Sequence, residues 1–166
     1  GLVGSEMCIR DRLTTRRIPQ LYYGTEIMMN GIKSKSDGYV RKDFPGGWAD
    51  DKETALTAAG RSKVQNDCYN FYKTILNWRK GNDVIAKGSM TQFMVQNGVY
   101  AYARQYEGKT VFVMLNGTNA ATSVPLKFYK EILKDAKQGK DILSGRTIAF
   151  GEELKMEPRE SLVIEL

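Results

Sequence analysis

The chain has 166 residues, 42% of them hydrophobic and 27% charged, with a formal net charge of +6. This is globular composition with enough chain for one ordinary domain, and no apolar run approaches the roughly 18 residues of a membrane helix. Histidine is absent, which removes His-based triads, proton shuttles and His metal sites. The two cysteines, Cys8 and Cys68, lack C-x-x-C spacing, so neither a zinc site nor a disulfide framework is expected. The lysines are spread through the chain rather than clustered, so no nucleic-acid partner is expected either.

Residues 1–12 do not fit the rest of the chain. Leu2-Val3-Gly4-Ser5-Glu6-Met7-Cys8-Ile9-Arg10-Asp11 resembles the translation of a transposase adapter used in sequencing libraries, and such processing scars are left out of fold reasoning. Leu13 to Arg16 reads as the end of a preceding helix or loop. Ile18 to Tyr23 is an apolar, aromatic run without polar alternation, the pattern of a strand buried on both faces of a parallel sheet. Pro19 stands at its beginning, where a missing N–H is tolerated. Gly24, Thr25 and Glu26 come next at the carboxyl end, where α/β barrels place their chemistry. The run Arg17-Ile18-Pro19-Gln20-Leu21-Tyr22-Tyr23-Gly24-Thr25-Glu26 resembles the last barrel strand of the α-amylase superfamily of glycoside hydrolases, departing at Arg17, where the family commonly has Gly. A (β/α)8 barrel needs about 250 residues. Sixteen precede Arg17, so the expectation is the tail of a larger enzyme whose N-terminal part of the barrel is missing.

From Met28 to Ala59 the chain reads as one long loop with glycine and proline turn formers. Within it, Asp37-Gly38-Tyr39-Val40-Arg41-Lys42-Asp43-Phe44-Pro45-Gly46-Gly47-Trp48 is similar to the D-G-x-x-R-x-D-F-P-G-G-W loop of neopullulanase and cyclomaltodextrinase-type enzymes, particularly those resembling the starch-utilisation amylase of Bacteroidota. Phe44, Trp48 and Tyr39 offer flat faces to the C–H side of glucose rings, while Arg41, Asp43 and Asp37 can fix hydroxyls by charge-assisted hydrogen bonds. Two readings of the loop stand side by side: a substrate contact, or a loop pinned by Phe44 and Trp48 in which Arg41 pairs with Asp43.

Ser62-x-x-Gln65 is a capping-box pattern that opens a helix. Val64, Cys68, Phe71, Tyr72, Ile75, Leu76 and Arg79 give it one apolar stripe, and Gly81 stops it. Cys68 reads as a small core residue. The segment Leu76 to Ile85 also resembles the family's L-x-x-W-R-K-x-N-x-x-I signature. After Gly88 the period becomes strand-like. Met90–Val95 and Val99–Tyr106 flank the tight-turn pair Asn97-Gly98, and Thr110–Leu115 completes a meander. Asn116-Gly117-Thr118 matches a glycosylation sequon but reads as a turn. Leu126, Tyr129, Leu133 and Ala136 lie opposite Lys127, Lys130, Lys134 and Lys137, as in a short amphipathic helix with a wet basic face. Asp141–Leu143, Thr147–Phe150 and Ser161–Leu166 supply further strands, the last with Leu162, Ile164 and Leu166 on one core face.

The expected fold class is therefore α+β. Residues 13–88 would be the last β/α unit of a (β/α)8 barrel, comprising strand, substrate loop and helix. Residues 89–166 would be a C-terminal antiparallel β-sandwich domain. The resemblance implies a parent that cleaves α-1,4 links, with α-1,6 links left open, in cyclodextrins, pullulan or starch oligosaccharides by retention, with two carboxylates about 5 Å apart. The motifs that carry those carboxylates in the family are absent, so no catalytic residue is expected here. Glu26, Arg41, Asp43, Phe44 and Trp48 are the candidate substrate-binding residues. No cofactor or metal is expected in this stretch, and calcium in the parent stays open. The partners are α-glucan oligosaccharides met through the parent's active site, in a parent of a type often exported to the periplasm. Two other readings remain: a non-catalytic carbohydrate-binding module, and a basic nucleic-acid-binding domain.

Overall fold

The computed structural model describes residues 12–16 and 18–166. Residues 1–11 and Arg17 lie outside the described residues, and with them Cys8, the adapter-like lead-in up to Asp11 and the Arg17 departure. The chain divides into two compact units: residues 20–74, and residues 75–166 together with the described residues up to Pro19.

The strand expected over Ile18 to Tyr23 is not formed. These residues lie outside every strand, Ile18 is 97% exposed, and Leu21, Tyr22 and Tyr23 are exposed as well. A strand exists only through hydrogen bonds to a neighbour, and no described segment pairs with this one. The backbone turns at Gly24, whose φ of 78° suits glycine, into a single 3-10 turn over Thr25–Ile27. A second 3-10 turn covers Asp37–Val40, and the rest of residues 28–62 is turns and bends, as the loop reading anticipated.

Helix α1, Lys63–Arg79, begins where the capping box places it. Ser62 Oγ accepts from the Gln65 amide at 3.3 Å while Gln65 Oε1 accepts from the Ser62 amide at 2.8 Å, so each residue satisfies an otherwise orphaned donor of the other. Cys68, Tyr72 and Ile75 form the buried stripe, and the Cys68 thiol donates to the Thr25 carbonyl. Val64, expected on that stripe, is half exposed. Gly81, with a φ of 79°, ends the helix, and Asn82 accepts from the Val84 and Ile85 amides to start α2, Asp83–Lys87, which the sequence did not signal.

The second unit is built on antiparallel pairing throughout. Its strands are β1 Ser89–Gln92, β2 Val99–Tyr106, β3 Lys109–Asn116, β4 Thr122–Pro125, β5 Gln138–Asp141, β6 Thr147–Ala149, β7 Glu153–Met156 and β8 Ser161–Glu165. They form a six-stranded sheet ordered β1-β2-β3-β8-β5-β6 and a two-stranded sheet β4-β7. The expected meander is β1-β2-β3. Its register is fixed by two turns with positive φ at both central residues, Asn97-Gly98 and Glu107-Gly108.

The alternation of β2, β3 and β8 sends side chains to two cores. Ala101, Ala103, Phe112, Met114, Leu162 and Ile164 pack on one face with Val124 and Met156 of the small sheet and with Tyr129. Tyr102, Val111, Val113 and Val163 pack on the other with Val84 and Ile85 of α2. The single core face expected for the last strand is thus corrected. Val163, on the side expected to be wet, is fully buried because α2 covers it. The amphipathic helix expected between Leu126 and Lys137 is also shorter, a 3-10 turn Leu126–Tyr129 running into one α turn, α3, Lys130–Leu133. It stops at Lys134, whose φ of 48° breaks the helix. The strand expected at Asp141–Leu143 shifts back to β5. Asp141 ends that strand with its carboxylate accepting from Ser144 and from the Val163 amide.

Candidate functional site

The five candidate residues all belong to the unit of residues 20–74. The loop carrying four of them is shaped from within. Asp51 Oδ2 accepts from the Gly46 amide at 2.7 Å and the Trp48 amide at 3.1 Å, drawing the Pro45–Trp48 backbone around one carboxylate. The Ala55 amide donates to the Pro45 carbonyl at 2.9 Å, and the Gly47 amide to the Phe44 carbonyl at 3.0 Å. Gly46 has a φ of 89°, and a Cβ there would stand 2.1 Å from Thr54 Oγ1, so both conformation and space require glycine. This clasp leaves Phe44 half-buried beneath the turn and the Trp48 side of the loop in solvent, the residue 65% exposed.

Arg41 and Asp43 flank a pair of tyrosines. The Tyr22 and Tyr23 rings lie 4.6 Å apart, and Tyr23 Oη donates to the Lys42 carbonyl at 2.8 Å. Desolvation raises the Tyr23 phenol above its ordinary value, the hydrogen bond and charge of Tyr22 and the Asp43 carboxylate raise it further, and Arg41 opposes them. The ion pair considered between Arg41 and Asp43 is replaced by one between Arg41 and Asp37 at 3.5 Å, four residues apart and exposed, an arrangement that contributes little stability. Glu26 sits half-buried on the Thr25–Ile27 turn. The structure therefore groups Arg41 and Asp43 about Tyr23, and Phe44 and Trp48 on one clasped turn.

This part of the chain presents exposed aromatic rings, a guanidinium and carboxylates; of the carboxylates, Asp37 is paired with Arg41 and Asp51 is occupied by backbone amides. Sequence reasoning missed Asp51. Its type and spacing carry no signal of their own, although an acidic residue shortly after a Pro-Gly-Gly turn is a reasonable partner for that turn's amides. Among the described residues no group of three or more His, Cys, Asp and Glu side chains could hold a metal ion, and no helix is long and apolar enough to cross a membrane.

Residues 90–165 match the family model of the cyclo-malto-dextrinase C-terminal domain. The chain is 28% identical over 150 residues to an α-amylase from Niallia circulans, a match covering 84% of this chain and 25% of the relative. It is 24% identical over 149 residues to a cyclomaltodextrinase from Thermoanaerobacter pseudethanolicus, covering 89% of this chain and 22% of that protein. The chain thus spans about a quarter of the length of these curated relatives. Its fold superposes on the acarbose-bound crystal structure of the α-amylase from Geobacillus thermoleovorans with a TM-score of 0.73 at 21% identity, covering 99% of this chain and 33% of the other. Residues 90–165, which fold as a small antiparallel β domain, are thus similar to the C-terminal domain of cyclo-malto-dextrinases, and the described fold is that of the matching part of an α-amylase.

Proposed function

We propose that this chain is the C-terminal portion of a longer glycosidase that hydrolyses α-1,4 glucosidic links, with α-1,6 links left open, in cyclodextrins, pullulan or starch oligosaccharides. The observation that carries this reading is colinearity. One chain joins a Tyr22-to-Glu26 barrel-strand pattern, an aromatic and acidic loop and a cyclo-malto-dextrinase C-terminal domain, in the order the resemblance implies. In this reading Ile18 to Tyr23 is the last strand of a (β/α)8 barrel, paired on both sides by strands of the longer protein, and α1 is the helix that comes after it. The exposure of Ile18, Leu21 and Tyr22 supports a role that needs neighbours.

Glu26, Arg41, Asp43, Phe44 and Trp48 then form part of the substrate cleft wall. Trp48 stacks on a glucose ring, Phe44 backs it, and Arg41 and Asp43 hold hydroxyls. The nucleophile and the acid/base carboxylate lie in the part of the parent that precedes this chain, and hydrolysis with retention runs through those groups. The chain by itself releases no reducing sugar.

The test is to clone the longer gene around residue 13 and assay its product on γ-cyclodextrin, pullulan and maltodextrin beside the present chain. Hydrolysis by the long form alone is expected. Reducing sugar released by the present chain, or a long form inert on all three glucans, would overturn the reading.

A further inference from the structure

A groove of about 550 Å3 lies in the second unit between residues 125–137 and residues 150–153. Two backbone hydrogen bonds tie its sides together. The Leu126 amide donates to the Glu152 carbonyl at 2.9 Å, and the Phe150 amide to the Lys137 carbonyl at 2.8 Å. Leu126 and Leu133, both buried, and the half-buried Phe150 give it an apolar lining. One turn in this frame is strained. Lys134, with φ 48° and ψ −119°, takes the first central position of a β-turn that the Ala136 amide closes onto the Leu133 carbonyl at 2.9 Å. Those angles suit glycine and crowd the Cβ of any other residue. Strain of this kind collects where ligands are clamped.

The charges of the groove stand apart. Lys127, Lys130, Lys134 and Lys137 come from one side, Glu152 and Glu153 from the other, while Glu131 and Asp135 of the lysine-bearing segment do not line it. Lys127 Nζ lies 5.3 Å from the centre of the Phe128 ring. Among the described residues, Lys130, Lys134 and Lys137 form no ion pair. A long polyanion laid across the groove would meet the glutamates, and a neutral ligand would leave the ammonium groups unused. A small molecule charged at one end meets the lysines with that end, and hydroxyls at its other end donate to the glutamate carboxylates.

We propose that this groove binds a small phosphomonoester, a phosphate group on a hydroxylated body, with the phosphate on Lys130, Lys134 and Lys137 and the body over Phe150 and against Glu152 and Glu153. Small-molecule sites run from about 300 to 1,000 Å3, a range that includes this groove. Sugar phosphates and nucleoside monophosphates share this chemistry. The site does not depend on the glycosidase reading.

The test is to titrate the isotope-labelled full chain with glucose 6-phosphate, AMP, inorganic phosphate and glucose while the backbone amide signals of Lys134, Ala136 and Gly151 are followed by NMR. Saturable shifts with at least one of the two esters, about tenfold tighter or more than with inorganic phosphate or glucose, are expected, and the tighter ester identifies the body. Lys134→Gly removes an ammonium group and relieves the turn, so this variant keeps its fold and should bind about five- to tenfold more weakly, the loss of roughly one charged contact. Lys137→Gln should weaken binding similarly without altering the turn, and Lys155→Gln, outside the groove, should bind as the unaltered chain does. Equal affinity for inorganic phosphate, no saturable shift with either ester, full affinity in both groove variants, or an equal loss in Lys155→Gln would each overturn the proposal and leave the proposed function standing.

Discussion

The β domain buries both faces of its sheet, with Tyr102, Phe112, Val113 and Val163 withdrawn completely from solvent, whereas residues 20–74 leave Tyr22, Tyr39, Trp48 and Leu56 exposed. The first closes its own cores through strand pairing and two covering layers. The second is held by turns, single carboxylates and the greater part of α1, residues 63–74. A segment of comparable aromatic content can therefore be a core or a surface, depending on whether its backbone hydrogen bonds are satisfied locally. The β domain should unfold as a cooperative body, and the loop unit should respond to substitution mainly at its clasps.

The sharpest way to break that contrast is Arg104, the largest fully buried side chain. Its guanidinium donates to the carbonyls of Ser89, Thr14, Ile85 and Gly88 at 2.8 to 3.2 Å, tying β2 to the start of β1 and the end of α2. Burial lowers its pKa, and the neighbouring Arg79 lowers it further; the four carbonyls replace the water that the buried guanidinium has lost. Arg104→Ala strands those acceptors and should cost about 3 kcal/mol or more, read as a fall in the urea midpoint of the sheet's signal. If the midpoint moves by less than about 1 kcal/mol, the carbonyl cage is not what holds β1 and α2 to the sheet.

Asp51 tests the other side of the comparison. Asp51→Ala frees two amides, a loss comparable to removing a helix cap, about 1 kcal/mol. Faster hydrogen exchange at Gly46 and Trp48, with β3 unchanged, is expected. Equal acceleration in both units would mean that the clasp is not local.

A smaller effect separates the units by pH. The Tyr129 hydroxyl is buried among Phe93 and Phe112 with no hydrogen-bond partner among the described residues, and burial raises its pKa from the ordinary 10.0. A raised folded pKa favours the protonated folded form. Stability from this group is therefore complete below pH 10 and is lost as pH rises through the folded value. Tyr129→Phe should be neutral or up to about 1 kcal/mol stabilising at pH 7 and should lose less stability than the parent chain between pH 10 and 12. Parallel pH profiles for the two chains would show that the phenol stays protonated or unburied throughout. The smallest expected effect is Trp48→Ala, within about 0.5 kcal/mol of the parent chain, because its ring is already in water. A larger loss would mean that Trp48 pins the loop rather than waiting for a ligand.

The same physics decides how much of the molecule was legible in its sequence. Strands β2, β3 and β8 are long and apolar on both faces, so their existence could be read, and the capping box of α1 announced itself. Strands β4 and β7 are four residues each and place only Val124, Leu154 and Met156 in the core, too few for a period to register. The burial of Arg104 could not be read from the sequence, because its carbonyl partners come from segments 15 to 90 residues away. Phe44 and Trp48 stood out as an aromatic pattern, while the carboxylate that shapes their turn did not. A backbone amide seeking an acceptor leaves no mark on composition.

The two Asn-Gly pairs of the β domain, one at a hairpin turn and one at the end of β3, should age differently. Asn116 is fully buried; its amide group donates to the Ala120 and Glu157 carbonyls, its oxygen accepts from Thr118, and the next amide, of Gly117, is bound to the Gly98 carbonyl. A glycosyltransferase could not reach that nitrogen, and succinimide closure, which needs the side chain to swing onto the following amide, is blocked in the folded protein. Asn97, exposed at a hairpin tip with a single side-chain bond to Ser123, has no such shelter. Slow deamidation on storage should begin at Asn97, and a peptide map of aged protein would date the sample by that residue while Asn116 stayed intact.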